Sequence, residues 1–139
     1  MPLKLESLRK SIEALERSTN AAAANMDTLS EDLRETVRAG VIQPFEVAYE
    51  QCWKFIQRWL RENRISEDAD HPRTRKELFR MAARHGLIAD PTPWFEYGEV
   101  RNETTHTYDE EQAAAAYETA KKFIVDARDL FARLDSKND

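Results

Sequence analysis

Residues 45–60, with the sequence FEVAYEQCWKFIQRWL, predict the element around which the rest of the chain folds. Apolar side chains recur along this stretch at the three- and four-residue steps that mark one face of an α-helix. They are Phe45, Ala48, Tyr49, Cys52, Phe55, Ile56, Trp59 and Leu60. Val47 and Trp53 widen this face. A helix that is apolar over most of its circumference is central in a bundle, or it is also buried by a partner.

Apolar residues at helical spacing recur on both sides of this stretch, and the chain has only 3 glycines and 5 prolines. We therefore expect an all-α fold, an antiparallel bundle of five or six helices forming one domain over residues 1–139. The domain would include an N-terminal helix and connector over residues 1–25 and a frayed tail over residues 135–139. The other predicted elements are a stripe ended by Ala39-Gly40, a helix from about Pro44, a basic helix over about 73–85 stopped by Gly86, a helix capped by Asp90 or Thr92, and a last helix from Glu110 to about Leu134. The buried stripe of that last helix is predicted to be Ala113, Ala116, Tyr117, Ala120, Ile124, Ala127, Phe131 and Leu134.

The distribution of charge points in two directions. The net charge of −5 argues against a general nucleic-acid-binding protein, because affinity for phosphates comes mainly from lysine and arginine. Cationic residues nevertheless recur at three- and four-residue steps along one predicted helix face, which consists of Arg73, Lys76, Arg80 and Arg84. This face is interpreted either as a solvated surface or as a surface that binds RNA or a partner protein.

Cysteine usage and the lack of long apolar runs predict the compartment. The single Cys52 falls within an apolar helical pattern, which indicates a buried thiol in a reducing environment. No stretch approaches the ~20 apolar residues of a membrane span, and the N-terminus lacks the apolar run of a signal peptide. We expect a soluble cytoplasmic protein that does not interact with membranes.

Residues 101–106, Arg-Asn-Glu-Thr-Thr-His, followed by Tyr108, contain the candidate catalytic residues. Arg101 carries a permanent positive charge on a planar fork that suits phosphate oxygens. His106 is a side chain whose ordinary pKa permits proton transfer near neutral pH. Together they can stabilise and protonate a phosphodiester, which predicts RNA cleavage without a metal. Glu103 and His106 have the spacing of one di-iron ligand pair, but such a site needs a second pair, so neither a metal nor a cofactor is expected.

The spacing of Arg101 and His106 limits how they can act together. Five residues on a continuous helix rotate by about 140°, so these two would not share a face, whereas Asn102 and His106 would. A site that uses both residues needs a helix end near Thr104, or a second copy of the motif across a dimer axis. The sequence favours the first, since Asp109 looks like the cap of a new helix, which would leave His106 in the preceding bend. The alternative is that Arg101 and His106 only cap helix ends and bind water.

Several blocks of sequence, taken in order, resemble the nucleotidyltransferase substrate-binding protein family within the HEPN superfamily. The resemblance covers roughly residues 30–134, and its most specific part is the string Arg-Asn-x-x-x-His-x-Tyr. The blocks are Phe45-Glu46-Val47-Ala48-Tyr49-Glu50 with Trp53 and Lys54, the segment from Pro72 to Ile88 ending in Ala82-Ala83-Arg84-His85-Gly86-Leu87-Ile88, Trp94, and Arg101-Asn102-Glu103-Thr104-Thr105-His106-Thr107-Tyr108-Asp109-Glu110.

The resemblance implies a four-helix up-and-down bundle with one or two additional helices, forming a homodimer that brings two copies of the motif into one cleft. It implies an RNA-cleaving toxin with Arg101 and His106 in catalysis and Asn102 orienting the histidine or the phosphate. A minimal nucleotidyltransferase encoded beside it would neutralise the toxin by attaching AMP to Tyr108. The family is also described as the non-catalytic substrate-binding subunit of a two-component nucleotidyltransferase. A third interpretation is a helical dimer with a vestigial motif.

Overall fold

The structure, a computed structural model, is helical throughout the part of the chain that it describes, which confirms the predicted all-α fold class. It describes residues 2–63, 74–106 and 110–138, and at residues 105, 106 and 110 it describes the backbone alone. None of the described helices combines the length and the apolar character that crossing a membrane requires. The elements are α1 (Glu6–Asn25), a short 3-10 helix (Met26–Thr28), α2 (Glu31–Asn63), α3 (Arg75–Arg84), α4 (Thr92–His106) and α5 (Glu110–Ser136).

Helices α1, α2, α4 and α5 form an up-and-down bundle, and α3 is an additional helix packed on α2 and α4. The order of the contacts along α4 and α5 shows that these two helices are antiparallel. Val100, near the end of α4, packs in a small apolar cluster with Ala113 at the start of α5. Tyr97, earlier in α4, donates a hydrogen bond to Asp126, which lies further along α5. This arrangement confirms the predicted four-helix bundle with an extra helix.

Helix α2 is continuous from Glu31 to Asn63, so the predicted break at Gly40 and new start at Pro44 are wrong. Proline removes the helical hydrogen bond to the carbonyl four residues earlier, which here belongs to Gly40. Gly40 is exposed, so water can solvate that carbonyl. The buried face that includes Val41 and Phe45 stabilises the helix across this point, because tertiary packing outweighs intrinsic helix propensity.

The core is centred on aromatic rings from α2, α3, α4 and α5. Phe123 of α5 lies at its centre, with its ring centroid 5.3–6.4 Å from four others, namely those of Phe45, Tyr49, Trp94 and Tyr97. The predicted buried stripe of α5 left out Phe123 and Leu130, which are fully buried, and it named Ile124 and Phe131, which are only partly buried. Phe123 lies three residues after Ala120 and four before Ala127, so it continues the buried stripe at helical spacing, whereas the prediction took the four-residue step to Ile124.

Cys52 is fully buried in this core, as predicted. Burial raises the pKa of its thiol, so the side chain stays protonated and behaves as a small apolar group. Burial and the hydrogen bond to Asp126 likewise raise the pKa of Tyr97.

Local capping explains where the shorter helices begin and end. Thr74 caps α3, its hydroxyl accepting a hydrogen bond from the Glu77 amide at 3.1 Å. Gly86 follows α3 with φ of 77°, a left-handed conformation that favours glycine, which confirms the predicted stop. The carboxylate of Asp90 accepts a hydrogen bond from the Thr92 amide at 3.0 Å, as expected of a residue at the start of α4.

The two ends of the described chain meet. The side-chain amide of Asn138 accepts a hydrogen bond from the Leu3 backbone N–H at 2.7 Å and donates one to the Leu3 carbonyl at 2.8 Å. Helix α5 continues to Ser136, so part of the segment expected to fray is helical.

Candidate functional site

Helix α4 continues through His106, so the prediction of a helix end near Thr104 is wrong. Threonine is a poor helix-interior residue when its hydroxyl competes for backbone groups. Here the Thr104 hydroxyl donates to the Arg101 carbonyl at 2.9 Å within the helix, and the side chain is buried. Positions 101 and 106 are therefore about 140° apart around one helix axis. Tyr108 lies outside the described residues.

Arg101 is held by a carboxylate from α2. Its Nε lies 3.0 Å from Oε1 of Glu50, an ion pair without the alignment of a hydrogen bond. The Arg101 side chain is 25% exposed and that of Glu50 is 22% exposed. A guanidinium in this position is restrained but still reachable from solvent.

Arg75 of α3 joins the same carboxylate, and sequence analysis did not single it out. Its Nη2 lies 3.5 Å from Glu50 Oε1, and its guanidinium lies over the Trp53 ring at 4.6 Å and the Tyr49 ring at 5.5 Å. Trp53 Nε1 donates a hydrogen bond to the other Glu50 oxygen at 3.0 Å. Two guanidinium groups thus share one carboxylate, so this group of side chains keeps one net positive charge. Glu50 and Trp53 are three residues apart and hence neighbours on the surface of α2, but nothing in their spacing points to Arg75 on another helix.

The predicted basic face is only partly within the described residues. Lys76, Arg80 and Arg84 of α3 are exposed, and Arg73 lies outside the described residues. Lys76 Nζ lies 5.6 Å and the Arg80 guanidinium 5.4 Å from the centre of the Phe95 ring of α4. Two of these cations therefore converge on one aromatic side chain between α3 and α4, which is a more specific arrangement than a uniformly solvated face.

A cleft of about 280 Å³ lies between α3 and α4. Its floor is made of buried aromatic side chains, and its rim carries charged and polar groups from both helices. The lining residues are Tyr49, Thr74, Arg75, Lys76, Phe79, Trp94, Phe95, Gly98, Glu99 and Asn102. Asn102, a predicted site residue, therefore lies at the edge of this cleft, whereas its neighbour Arg101 reaches towards α2.

Gly98 allows α4 to pass close to the floor of the cleft. A Cβ at this position would lie 2.7 Å from the Tyr49 hydroxyl, which is closer than real Cβ contacts occur. Burial raises the pKa of Tyr49, while the hydrogen bond and charge of Arg75 act in the opposite direction. Tyr49 is thus a neutral, packed residue that links the Arg75–Glu50 contact to the cleft.

Within the described residues, no three histidine, cysteine or acidic side chains are grouped so that they could hold a metal ion. The polar chemistry of the region is instead that of guanidinium, ammonium, carboxylate and amide groups. Such a set can bind a phosphate and read the edge of a base.

This up-and-down helical bundle, with Arg101 near the end of its third long helix, fits the fold implied by the resemblance to the HEPN superfamily. The chain belongs to the family described as nucleotidyltransferase substrate binding protein like, which matches residues 3–136.

Known proteins of similar sequence and structure agree with this assignment. The chain is 37% identical over 106 residues to a Haemophilus influenzae protein named probable ribonuclease HepT, covering 76% of this chain and 73% of that protein. A solved H. influenzae structure, described as the fold of a substrate-binding domain of a nucleotidyltransferase, has a TM-score of 0.85 at 32% identity, covering 95% of this chain and 99% of that one. A Thermus thermophilus structure has a TM-score of 0.71 at 25% identity, covering 91% of this chain and 98% of that one.

Proposed function

We propose that this protein is a metal-independent ribonuclease that acts in the cytoplasm as the toxin of a toxin–antitoxin pair, with Arg101 and His106 in its catalytic site. The relative named a probable ribonuclease supports the activity. The observation that carries the proposal is the placement of Arg101. Glu50 restrains its guanidinium, and 25% of the side chain stays exposed to solvent. A cation fixed in advance needs no reorganisation when negative charge develops on a phosphate.

Because α4 is continuous, we place the working site between two chains. Within one chain, positions 101 and 106 diverge by about 140°, so one phosphate cannot easily meet both side chains. A homodimer that pairs the ends of two α4 helices would supply Arg101 from one protomer and His106 from the other. Asn102 and position 106 are four residues apart and share a face, so Asn102 would orient the histidine or the phosphate.

In the proposed reaction, the 2′-oxygen of a nucleotide attacks the adjacent phosphorus and the bond from phosphorus to the 5′-oxygen breaks. One His106 accepts the proton of the 2′-hydroxyl, and water protonates the leaving 5′-oxygen. Arg101 stabilises the charge on the non-bridging oxygens. The products are a 2′,3′-cyclic phosphate and a 5′-hydroxyl. The nucleophile is already positioned beside its target, so no metal is needed to deliver it.

The family name supports a nucleotidyltransferase as the partner. We propose that this partner neutralises the toxin by transferring AMP to Tyr108, two residues after His106. An adenylylated tyrosine would add bulk and negative charge beside the site and would oppose an anionic RNA.

A second candidate function is favoured by the structural relative described as a substrate-binding domain of a nucleotidyltransferase. In that case the chain would bind a nucleotidyltransferase and present its substrate without catalysing a reaction. The two functions differ in one measurable property, which is RNA cleavage by the isolated protein.

The test is cleavage of total RNA in EDTA by protein produced without its partner, compared with His106→Ala. Intact mass confirms that Tyr108 is unmodified. We expect the wild type to leave 2′,3′-cyclic phosphate ends and the variant to lose about 10²- to 10⁴-fold in rate, the usual worth of a general acid or base. Equal rates in both proteins, or no cleavage by unmodified wild type, would contradict the proposal, and the second result would favour the substrate-binding subunit.

A further inference from the structure

We propose that the cleft between α3 and α4 is a base-binding subsite, which holds one nucleobase of a single-stranded RNA next to the phosphate that is cleaved. The inference rests on the proposed ribonuclease function and adds to it the part of the molecule that selects the sequence. The cleft lies outside the Arg101–His106 pair, and its lining comes from three helices.

The cleft lies along the same face of α4 as position 106 of the motif. Phe95, Glu99 and Asn102 line it, and their spacing of four and three residues continues with a further four to position 106. Residues at these steps lie along one face of a helix. Position 106 is thus just over one helical turn, or ~6 Å along the axis, beyond the Asn102 edge of the cleft. A base bound in the cleft would have its own phosphate close to the end of α4.

The size and walls of the cleft suit a single flat ring. Its volume of about 280 Å³ is at the lower end of the ~300–1,000 Å³ of small-molecule pockets, so it can take one nucleoside but not an extended oligonucleotide. Phe95 is half-buried and forms one wall. The Arg75 guanidinium, held in place over Trp53 at 4.6 Å, forms part of another. Aromatic rings and guanidinium planes are the surfaces on which proteins stack unpaired bases.

The charges around the cleft suit a nucleotide of an RNA strand better than a protein segment. Arg75, Lys76 and Arg80 surround its α3 side, and the first turn of α3 adds the partial positive charge of a helix N-terminus. On the opposite side, Glu99 supplies a carboxylate. Basic side chains attract the backbone phosphates, while a carboxylate accepts hydrogen bonds from amino groups on base edges.

Glu99 therefore predicts how the subsite distinguishes the two pyrimidines. Cytosine presents an amino group at the position where uracil presents a carbonyl, and the two rings are otherwise of the same size. A carboxylate accepts a hydrogen bond from the cytosine amino group and repels the uracil carbonyl. We expect the subsite to prefer cytosine to uracil.

The test measures the equilibrium affinity of the wild-type protein for fluorescein-labelled hexamers of deoxycytidine and deoxyuridine, which cannot be cleaved because they lack the 2′-hydroxyl. The wild type should bind the cytosine hexamer about tenfold more tightly. Glu99→Gln should bring the ratio close to one, because an amide can both donate and accept. Glu118→Gln removes an exposed carboxylate of α5, 66% exposed, and serves as the matched control for net charge, with an unchanged ratio expected.

A wild-type ratio near one, a ratio that Glu99→Gln leaves unchanged, or no binding of either hexamer at millimolar protein would overturn the subsite. RNA cleavage by the same proteins is measured separately. Selective binding that depends on Glu99 without any cleavage would retain the subsite and reject the ribonuclease. Cleavage of RNA without selective binding of the cytosine hexamer would retain the ribonuclease and reject the subsite.

Discussion

Glu50 is the residue through which α2 controls the position of the candidate catalytic arginine. Its Oε1 lies 3.0 Å from Arg101 and 3.5 Å from Arg75, and its other oxygen accepts a hydrogen bond from Trp53. The carboxylate offsets the repulsion between the two guanidinium groups and fixes their orientation. In the proposed reaction Glu50 is a positioning residue, since it acts through Arg101.

Glu50→Gln should lower kcat for RNA cleavage by about 10- to 100-fold, because small misplacements of a catalytic group have costs of that size. The KM for RNA should fall or stay the same, since the variant gains one positive charge near the substrate. Steady-state cleavage kinetics measure both quantities.

A loss of folding alone would not lower kcat while KM falls or stays the same. The helical circular dichroism of the variant, which reports its folding, provides the control. A rise in KM at unchanged kcat would show that Glu50 does not position Arg101 for catalysis.

Individual residues were predicted with uneven success, for identifiable physical reasons. The burial of Cys52 followed from its place in an apolar stripe. Arg75 was missed because its importance comes from Glu50 and Trp53 on another helix, and a contact between helices has no period along one sequence. Phe123 was missed because both three- and four-residue steps stay on one helix face, and the prediction took the step from Ala120 to Ile124. The catalytic roles of Arg101 and His106 remain predictions.

The contact between α2 and α4 determines the shape of the cleft at the scale of elements. Gly98 lets the Tyr49 hydroxyl approach so closely that a Cβ would lie only 2.7 Å from it. Gly40, in the middle of α2, has nothing within 4 Å of the corresponding position. The two helical glycines are therefore a matched pair for measuring this approach.

Gly98→Ala should destabilise the protein by up to about 2 kcal/mol, because overpacking costs ~1–3 kcal/mol and the gain in helix propensity returns about 1 kcal/mol. Gly40→Ala should stabilise it by about 0.5–1 kcal/mol through helix propensity alone. Urea unfolding of both variants at neutral pH gives these free energies. Stabilisation of both variants by similar amounts would mean that Tyr49 does not pack against position 98.

Element type was easier to predict than element ends. Helical periodicity identified each of the five described helices, and Gly86 and Asp90 marked real boundaries. The errors came where local signals competed with burial. Pro44 did not start a new helix, since the buried face of α2 continues through it. Thr104 did not end α4, since its hydroxyl is bonded within the helix.

The whole molecule combines an acidic total charge with a locally basic cleft. The net charge of −5 argued against general nucleic-acid binding. Arg75, Lys76 and Arg80 nevertheless lie together around one opening, against the single carboxylate of Glu99, and a local excess of positive charge acts on a ligand regardless of the sum. The sequence indicated the basic helix, but only the packing of α3 on α4 places it beside the motif.

Assembly is the property of the whole molecule on which the proposed chemistry depends. A continuous α4 separates positions 101 and 106 around its axis, and for this reason the proposed site combines residues of two chains. Two protomers would form two such sites, each with Arg101 from one chain and His106 from the other.

The most direct measurement is complementation between two inactive variants. Arg101→Ala and His106→Ala proteins, each inactive alone in EDTA, are unfolded together and refolded as a mixture so that mixed dimers form. Half of the dimers in the mixture are mixed, and each mixed dimer has both residues intact in one of its two sites. We therefore predict that the mixture regains about a quarter of the wild-type rate of RNA cleavage. A mixture that forms mixed dimers but stays inactive would contradict a site shared between two chains.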